Sequence, residues 1–435
     1  MLATIGVNHV DDLFADIPAE AKLDRPLNIP GPLPERELLN NFGLLASMNK
    51  PVSGERSFLG AGAYSHHVPV AVDQMLLRGE FFTAYTPYQP EVSQGTLMAI
   101  YEFQTYTSAL LGMDIANASM YDGASSLAEA VIMAKRVKKK NRVVISGLVD
   151  PAWRKVVETY VQDLDIDIVV VDGVNEGVTN IEELSIAAKD SSAIVIQYPN
   201  FVGCIDDLNE VRRVCDEAGA LMIVATSEPV AMGVMTSPGK LGADIAVAEG
   251  RSFGGSLSYG GPGLGMFATK QKWARQIPGR LVGKTNDVDG KPGYVLTLAT
   301  REQHIRREKA TSNICSNQAL CATAAAIHLS LLGKNGLQEM ALKNMTATKY
   351  LAEKISALNG FELAYKKPFF NEVAIKVPAP AETINKKLAK NGFVGGFDLS
   401  KDFPSLGDSM LFCATELHTK NDIDALATAL SGFKV

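Results

Sequence analysis

Residues 120–126 are of types that could bind an anion. They read Met-Tyr-Asp-Gly-Ala-Ser-Ser and open a helical pattern, and residues 126–129 form a capping box. Small residues let backbone N–H groups approach an anion, and the N-terminus of a helix attracts negative charge. Ser125 and Ser126 are therefore candidate anion-binding residues. A plain helix cap is the commoner explanation for such a run in isolation, because Ser and Asp are frequent caps.

Two further runs carry groups that could hold a ligand or a partner. Residues 85–95 place Tyr85 before Pro87, and Tyr88 and Gln89 between Pro87 and Pro90, which is typical of a rigid loop that stacks on a ligand or contacts a subunit. In residues 300–313, arginines such as Arg306 could hold a carboxylate and His304 could carry a proton. The alternatives are an ordinary loop with a packed tyrosine and a solvated helix face.

Other common site patterns are missing from the sequence. His66 and His67 are adjacent rather than at ligand spacing, and there is no HExxH or CxxC, so we predict no metal site. A GxSxG nucleophile motif is absent. Residues 261–265 contain GxGxG but follow no βαβ start, so a dinucleotide site is not supported.

The elements that must position these residues alternate between strands and helices from residue 119 onwards. Such apolar runs separated by amphipathic helices predict an α/β domain with a mainly parallel sheet covered on both faces. Ligands of such sheets lie at the carboxyl ends of the strands. The predicted strands are 142–146, 167–172, 193–198 and 221–225, and the helices between them lie near 151–163, 180–189 and 206–218.

The chain divides into three predicted regions. Residues 1–68 are rich in Pro and Gly and are expected to form an arm with short helices that wraps over something such as a partner subunit. A loose lead-in is the alternative. Residues 69–315 form the large α/β domain. Residues 316–435, which begin with a long helical stretch to about 357, form a smaller α+β domain.

Composition narrows the class of protein. The 46% hydrophobic and 21% charged residues are ordinary for a globular protein, and the net charge of −6 argues against nucleic-acid binding. Five cysteines without a CxxC favour a reducing, cytoplasmic setting. The longest apolar run, 319–332, is too short to span a membrane, and the first 16 residues carry acids and no apolar core of a secretion signal.

Residues 241–265 resemble the cofactor-anchoring segment of fold type I enzymes that use pyridoxal phosphate (PLP). In those enzymes a strand ending in Ala-Asp is followed by a lysine, a hydroxyl residue and a Gly-rich turn, and Arg251 stands at the lysine position here. A lysine can form a Schiff base with the cofactor, whereas an arginine stays protonated and cannot. Lys240 and Lys270 remain as alternative anchors. We predict a PLP-enzyme scaffold without its covalent anchor.

The strand end at residues 221–227 is expected to lack a second cofactor contact. A fold type I enzyme places an aspartate there to pair with the pyridine nitrogen. The run holds no carboxylate, and Glu228 comes late, beside Pro229. With both contacts missing, the resemblance implies that Ser125 and Ser126 belong to a lapsed phosphate site. The chain is then expected to be one half of a divided enzyme.

Longer matches identify the family. The chain resembles, over essentially its whole length, subunit 1 of the two-subunit glycine decarboxylase, the P-protein of the glycine cleavage system. In this family a homologous subunit 2 carries the PLP lysine, which fits Arg251 here. The matching runs are 58–64, 85–95, 121–123, 197–201, 260–263 and 301–315.

The resemblance implies a reaction and a set of partners. Subunit 2 with PLP would decarboxylate glycine and pass the aminomethyl group to the lipoyl arm of the H-protein. Subunit 1 would form an α2β2 assembly with it and support its site from across the interface. The residues expected at that interface are Tyr85, Tyr88, Gln89, Arg251, His304 and Arg306.

Two other functions stay open at this point. A stand-alone PLP-dependent aminotransferase or lyase would need a Schiff-base lysine elsewhere in the chain. A scaffold protein would keep the fold without any catalytic partner. Colour from bound PLP in the purified chain would favour the first, and failure to activate any subunit 2 would favour the second.

Overall fold

The computed structural model describes residues 1–49 and 52–433, without the side chain of residue 55, and forms two compact units. The first unit, Met1–Pro51, contains helix α1 (Leu2–Ile5), helix α2 (Glu35–Ser47) and two short 3-10 turns. None of its described residues is buried. In α2 the side chains of Leu39 and Phe42 are 65% and 61% exposed. This unit therefore has no hydrophobic core of its own.

The second unit, Val52–Val435, is built on a seven-stranded sheet. Helices α3 (Val70–Leu76), α4 (Gly79–Phe82) and α5 (Gln94–Leu111) precede it. The strands are β1 (Ile115–Ala116), β2 (Arg142–Ser146), β3 (Asp167–Val171), β4 (Ser191–Gln197), β5 (Leu221–Thr226), β6 (Ile245–Glu249) and β7 (Gly265–Thr269). Their order is β1-β7-β6-β5-β4-β2-β3, with β2 to β6 parallel and β7 and β1 antiparallel to their neighbours.

Helices cover both faces of this sheet. They are α6 (Gly123–Lys138), α7 (Pro151–Val161), α8 (Ile181–Ala187) and α9 (Leu208–Ala218). Successive strand residues point to opposite faces, so Val143 and Val144 belong to different cores. Every residue of β4 and β5 is buried. This two-sided burial explains why the strands are continuous apolar runs.

A hairpin and a long helix follow the sheet. The hairpin is β8 (Leu281–Asn286) and β9 (Pro292–Thr297), and helices α10 (Gln303–Arg306) and α11 (Ala319–Ser356) come next. Gly333 interrupts α11 with φ 59° and ψ −175°, a conformation that favours glycine. Before this break, Ala325 packs in a core of the large sheet, and after it Ile355 packs in the core of a second sheet.

The second sheet is antiparallel and smaller. Its strands are β10 (Glu362–Leu363), β11 (Glu372–Lys376), β12 (Phe397–Asp398) and β13 (Ser409–Cys413), in the order β10-β11-β13-β12. Helices α12 (Ala381–Lys390) and α13 (Lys420–Leu430) complete this layer. The domain boundaries after residues 68 and 315 stay predictions, and residues 434–435 of the predicted last domain lie outside the described residues.

One local prediction from the sequence was wrong, because residues 126–129 do not form a capping box. Helix α6 begins at Gly123 with Asp122 as its cap, and Ser126 lies inside the first turn. The Asp122 side chain and Ser125 form the capping box instead.

Candidate functional site

The carboxyl ends of β2, β4, β5 and β6 meet along one edge of the large sheet. Parallel strands of this kind bind ligands at that edge. Several buried polar side chains stand at or just beyond these strand ends, and five of them contribute to the contacts described below. They are Asp150, Gln197, Ser227, Glu228 and Glu249.

The N-terminus of α6 lies beside this edge and is the predicted anion site. The Asp122 carboxylate accepts a hydrogen bond from the Ser125 N–H at 2.7 Å, and Glu249 Oε2 accepts one from the Gly123 N–H at 3.0 Å. The hydroxyls of Ser125 and Ser126 donate to the Asp122 carbonyl at 3.1 and 2.7 Å. The structure therefore places both predicted serines at the helix start, but their hydroxyls bond to the backbone.

The Glu249 carboxylate accepts hydrogen bonds from three backbone N–H groups. Its Oε1 accepts hydrogen bonds from Leu264 at 2.9 Å and from Arg251 at 3.1 Å, in addition to the bond from Gly123. Burial raises the pKa of Glu249, and these hydrogen bonds oppose the rise. The Trp153 indole covers the helix start, because a Cβ added at Gly123 would collide with it.

A carboxylate lies just beyond the end of β5, although residues 221–227 hold none. Glu228 lies two residues beyond β5, is 1% exposed and has its Oε2 2.8 Å from His66 Nε2. The same oxygen accepts a hydrogen bond from the Ser252 hydroxyl at 3.0 Å. His66 Nδ1 lies 2.8 Å from Glu416 Oε2. Burial alone would lower the pKa of His66, but the two glutamates raise it to about 10, so His66 is an imidazolium.

A second chain of hydrogen bonds joins the large sheet to the small one. The Tyr64 hydroxyl donates to Glu372 Oε2 at 2.8 Å and lies 3.2 Å from the Ser227 hydroxyl. Gln197 donates to Ser227 at 3.3 Å and accepts from the Asp150 N–H at 2.7 Å. Burial raises the pKa of Glu372 to about 7 and that of Asp150 to about 6.

These groups line the carboxyl edge of the large sheet, and we call this set of side chains the polar edge. It combines side chains from the strand ends of the large sheet, from the segment before α3 and from the small sheet. Its members are Tyr64, His66, Glu228, Glu249, Glu372 and Glu416.

Arg251 lies in the connection between β6 and β7, where the sequence placed the lapsed anchor. Its guanidinium has one long contact, from Nη2 to the Gly260 carbonyl at 3.4 Å, and the buried Nε has no partner among the described residues. Two cavities of about 170 Å³ border it, one lined by Tyr64 and Tyr259 and the other by Phe253. No lysine occurs in residues 250–264.

The two alternative lysines lie at the opposite edge of the sheet. Thr269 pairs with Ile245, so Lys270 is next to the amino end of β6, where its Nζ lies 2.6 Å from Asp244 Oδ1. Lys240 precedes Asp244 and β6 along the chain and lines a cavity with Leu110 and Met235. Neither amine therefore reaches the carboxyl edge, which the antiparallel pairing of β7 places at the far end of β6.

A second candidate region surrounds Arg280, which is 5% exposed. Its guanidinium donates to the Thr86 hydroxyl at 3.1 Å, to the Tyr88 hydroxyl at 2.9 Å and to the Cys315 carbonyl at 2.6 Å. The ring centroids of Tyr88 and His304 are 6.5 Å apart and nearly perpendicular. Arg280 therefore brings together two segments that the sequence analysis singled out separately. We call residues 85–92 and 303–306 with Arg280 the Tyr88 surface.

The other predicted members of this region lie on its outside. Tyr85 is 78% exposed, and Gln89 and Arg306 are exposed as well. Within the described part of the chain, the side chains of these three residues form no hydrogen bond. Apolar neighbours are also uncovered, since Val92 is 80% and Ile305 52% exposed. The surface thus has Tyr88, which Arg280 holds, beside His304 at its centre, with side chains around them that form no hydrogen bond among the described residues.

Sequence reasoning missed three residues that organise the site. His66 was considered only as a metal ligand, and nothing near Glu249 or Arg280 in the sequence sets either apart. Among residues 1–49 and 52–433 no group of three or more His, Cys, Asp or Glu could hold a metal ion. The helices in the same two ranges include none long and apolar enough to cross a membrane.

The sheet order and the antiparallel β7 give this chain the fold of the fold type I PLP-dependent transferases. A solved glutamate decarboxylase of Lactobacillus brevis shares the fold, with a TM-score of 0.70 and 15% identity over 97% of this chain and 99% of its own. The predicted fold class is confirmed.

Closer comparisons narrow the class to one family. The family model for the glycine cleavage system P-protein matches residues 1–430. A relative from Brevibacillus brevis, named probable glycine dehydrogenase (decarboxylating) subunit 1, is 49% identical over 99% of this chain and 95% of its own. A crystal structure of glycine decarboxylase (P-protein) in inhibitor-bound form is 41% identical, with a TM-score of 0.91 over 99% and 96% of the two chains. The chain belongs to the glycine cleavage system P-protein family.

The residues at the carboxyl edge do not fit PLP, the cofactor that the fold implies. The connection between β6 and β7 offers no amine for a Schiff base. The Gly123 N–H that would meet a phosphate already bonds to Glu249. The Glu228 carboxylate that could pair with a pyridine nitrogen already bonds to His66.

Proposed function

We propose that this chain is subunit 1 of a two-subunit glycine dehydrogenase (decarboxylating), and that a homologous subunit 2 is its partner. The observation that carries the proposal is the 49% identity to such a subunit over almost the full length of both chains. Arg251 in the β6–β7 connection supports the division of the enzyme, because its guanidinium cannot form the bond to PLP.

The cofactor belongs to the other half of this assembly. When bound to subunit 2, PLP supplies the electron sink for the decarboxylation of glycine. The lipoyl arm of the H-protein then takes the aminomethyl group. The present chain contributes a fixed surface to that site rather than a cofactor of its own. The polar edge supports this assignment because its residues do not fit PLP. The five free cysteines support a reducing, cytoplasmic setting.

The Tyr88 surface is the part of the chain that meets subunit 2. Tyrosine and arginine are the residue types that most often dominate protein interfaces. Tyr85, Gln89 and Arg306 lie exposed there around Tyr88 and His304. Arg251 would approach the same partner through the cavity that the 95% exposed Tyr259 borders. Two such pairs form an α2β2 assembly.

Glycine–bicarbonate exchange tests this function directly. The assay contains H-protein and is run with this chain, with subunit 2, and with both, while the absorbance of PLP is recorded for each. We expect exchange only with both chains, and PLP colour only where subunit 2 is present. Colour and turnover from this chain alone would show that the anchor lysine lies elsewhere and would overturn the proposal.

A further inference from the structure

At the polar edge, the first N–H of α6 and the Glu228 carboxylate, two groups that would contact a cofactor, are already bonded within the chain. Glu249 uses both carboxylate oxygens on the N–H groups of Gly123, Arg251 and Leu264. His66 uses both ring nitrogens, one on Glu228 and one on Glu416. The first N–H of a helix and a carboxylate beyond a strand end are two groups that would hold an anionic, protonated ring ligand, and both are thereby bonded within the chain.

We propose that Glu249 and His66 are built-in replacements for the phosphate and the ring of PLP, and that they hold the two sheets of this unit together without a ligand. The charges match the assignment. Glu249 places a carboxylate where a phosphate would meet the start of α6, and His66 presents a ring N–H to the carboxylate beyond β5. This deepens the proposed function, because it gives subunit 1 a folded pocket with no cofactor of its own.

The replacement of the phosphate rests on contact geometry. Glu249 closes β6 and extends toward the first N–H of α6, while Trp153 covers the same turn from α7. The chain around Glu249 is also tight, since a Cβ at Gly250 would lie 3.0 Å from Leu264 and Met266. An incoming phosphate would have to displace a carboxylate that already receives three hydrogen bonds.

His66, the proposed replacement for the ring, also connects the two sheets. Glu228 follows β5 of the large sheet, and Glu416 lies three residues beyond β13 of the small sheet. His66 stands between them with its side chain 1% exposed. The Tyr64–Glu372 hydrogen bond at 2.8 Å provides a parallel connection, because Glu372 begins β11. The segment before α3 therefore links the two layers through two neighbouring side chains.

Phosphate titration of the isolated full chain tests the first half of the proposal. We expect no change in the melting temperature Tm of the wild-type chain with inorganic phosphate or with PLP. Glu249→Ala frees three N–H groups and should gain a phosphate-dependent rise in Tm of roughly 2 °C for each tenfold increase above the dissociation constant. Asp207→Ala is the matched control, because it uncaps the start of α9 without opening a buried pocket.

Three results would overturn this half. They are a wild-type chain that responds to phosphate by the same amount, a folded Glu249→Ala chain that does not respond, and an equal response from Asp207→Ala. If Glu249→Ala does not fold, Glu249→Gln keeps the side-chain volume and one acceptor, and a smaller phosphate response is expected. The assay contains neither subunit 2 nor glycine, so its failure and a failure of the exchange assay are distinguishable.

Amide hydrogen exchange tests the second half. His66→Gln removes the charge that lies between Glu228 and Glu416. We expect amides in residues 52–67 and 409–418 to exchange at least tenfold faster, while amides of β4 and β5 stay protected. Uniform acceleration over the whole unit, or no acceleration, would contradict a specific link between the two sheets. His67→Gln is the control, because its exposed side chain is not part of the polar edge.

Discussion

The polar edge and the Tyr88 surface differ in what they leave uncovered. At the polar edge, Glu228, Glu249 and Glu372 are at most 7% exposed, and each carboxylate is hydrogen-bonded within the chain. At the Tyr88 surface, Arg280 is buried in the same way, yet the aromatic rings above it are open to solvent. The carboxylates of the polar edge are hydrogen-bonded within the chain, whereas the Tyr88 surface presents exposed aromatic rings to a partner.

The comparison teaches how a shared fold can be divided between two subunits. Buried polar groups are costly unless they are paired, so a pocket that loses its ligand has to supply partners from within. An exposed aromatic surface has no such requirement and gains stability when a second chain covers it. The following predictions test the two regions separately.

The largest effect is expected at the centre of the polar edge. His66→Leu leaves Glu228 and Glu416 facing each other without the imidazolium, and Glu228 is fully desolvated. We expect the free energy of unfolding to fall by about 3 kcal/mol, as for a broken buried ion pair. Denaturant unfolding of the isolated chain measures this. His67→Leu, at an exposed position, should change it by less than about 0.5 kcal/mol.

The next effect is expected at the Tyr88 surface. Tyr88→Ala removes an aromatic ring whose hydroxyl accepts a hydrogen bond from Arg280 and which lies beside the ring of His304. We expect affinity for subunit 2 to fall roughly 30-fold, equivalent to about 2 kcal/mol, in addition to the loss of stability that follows from removing one hydrogen-bond partner of the buried Arg280. Calorimetric titration checks the affinity. Tyr160→Ala on α7 is the control, since that tyrosine is 37% exposed on another part of the unit.

The pH dependence of stability should separate His66 from its neighbours. Its pKa of about 10 in the folded chain exceeds the unfolded value of about 6.5, so its contribution is complete below pH 6.5 and is lost as the pH rises towards 10. Between pH 7.5 and 9.5, the wild-type advantage over His66→Leu should shrink by about 1 kcal/mol per pH unit. An advantage that stays constant across this range would argue against a charged His66.

The other groups that influence this window are known from the structure. His66 faces Glu228 and Glu416. Burial lowers the pKa of His328 to about 4, and the charge of His66 contributes to this shift. Glu372 has its pKa raised to about 7 by burial, so its own contribution changes below the window and is shared by both variants.

The smallest effect is expected for Arg251→Lys. The new amine would stand in the right connection, but the start of α6 remains bonded to Glu249 and Glu228 to His66. We expect no PLP absorbance and no decarboxylation by this variant alone. Visible spectra and the exchange assay without subunit 2 check both. PLP-dependent turnover by Arg251→Lys alone would contradict the proposal that Glu249 and His66 occupy the positions of PLP at the polar edge.

The sequence predicted the strands of the large sheet well because the signal is local. Residues 142–146 were predicted as a strand and form β2, and the predicted strand 221–225 is β5 without its last residue. Two-sided burial demands continuous apolar side chains, which any short window of sequence displays. The family assignment rested on specific motif runs such as residues 58–64 and 85–95, and it is confirmed.

The polar edge could not be predicted in the same way because its partners are remote in the chain. His66 and Glu228 are separated by 162 residues, and Gly123 and Glu249 by 126. Glu228 also looked misplaced beside Pro229, although the 3-10 turn that begins at Pro229 is what its carboxylate caps. Charge pairing of this kind depends on which strand ends become neighbours, and that order is a property of the sheet.

The interrupted helix α11 limits how this chain can be shortened. A cut at residue 315 would remove Ala322, Ala325 and Leu329, which form one wall of the large-sheet core. A cut just after Gly333 would still remove Met340 and Ala341 from that core and would leave the small sheet without Leu351 and Ile355. Neither sheet can therefore be expressed as a fragment by division at the predicted boundary, and gene fusions or truncations should treat residues 52–433 as indivisible.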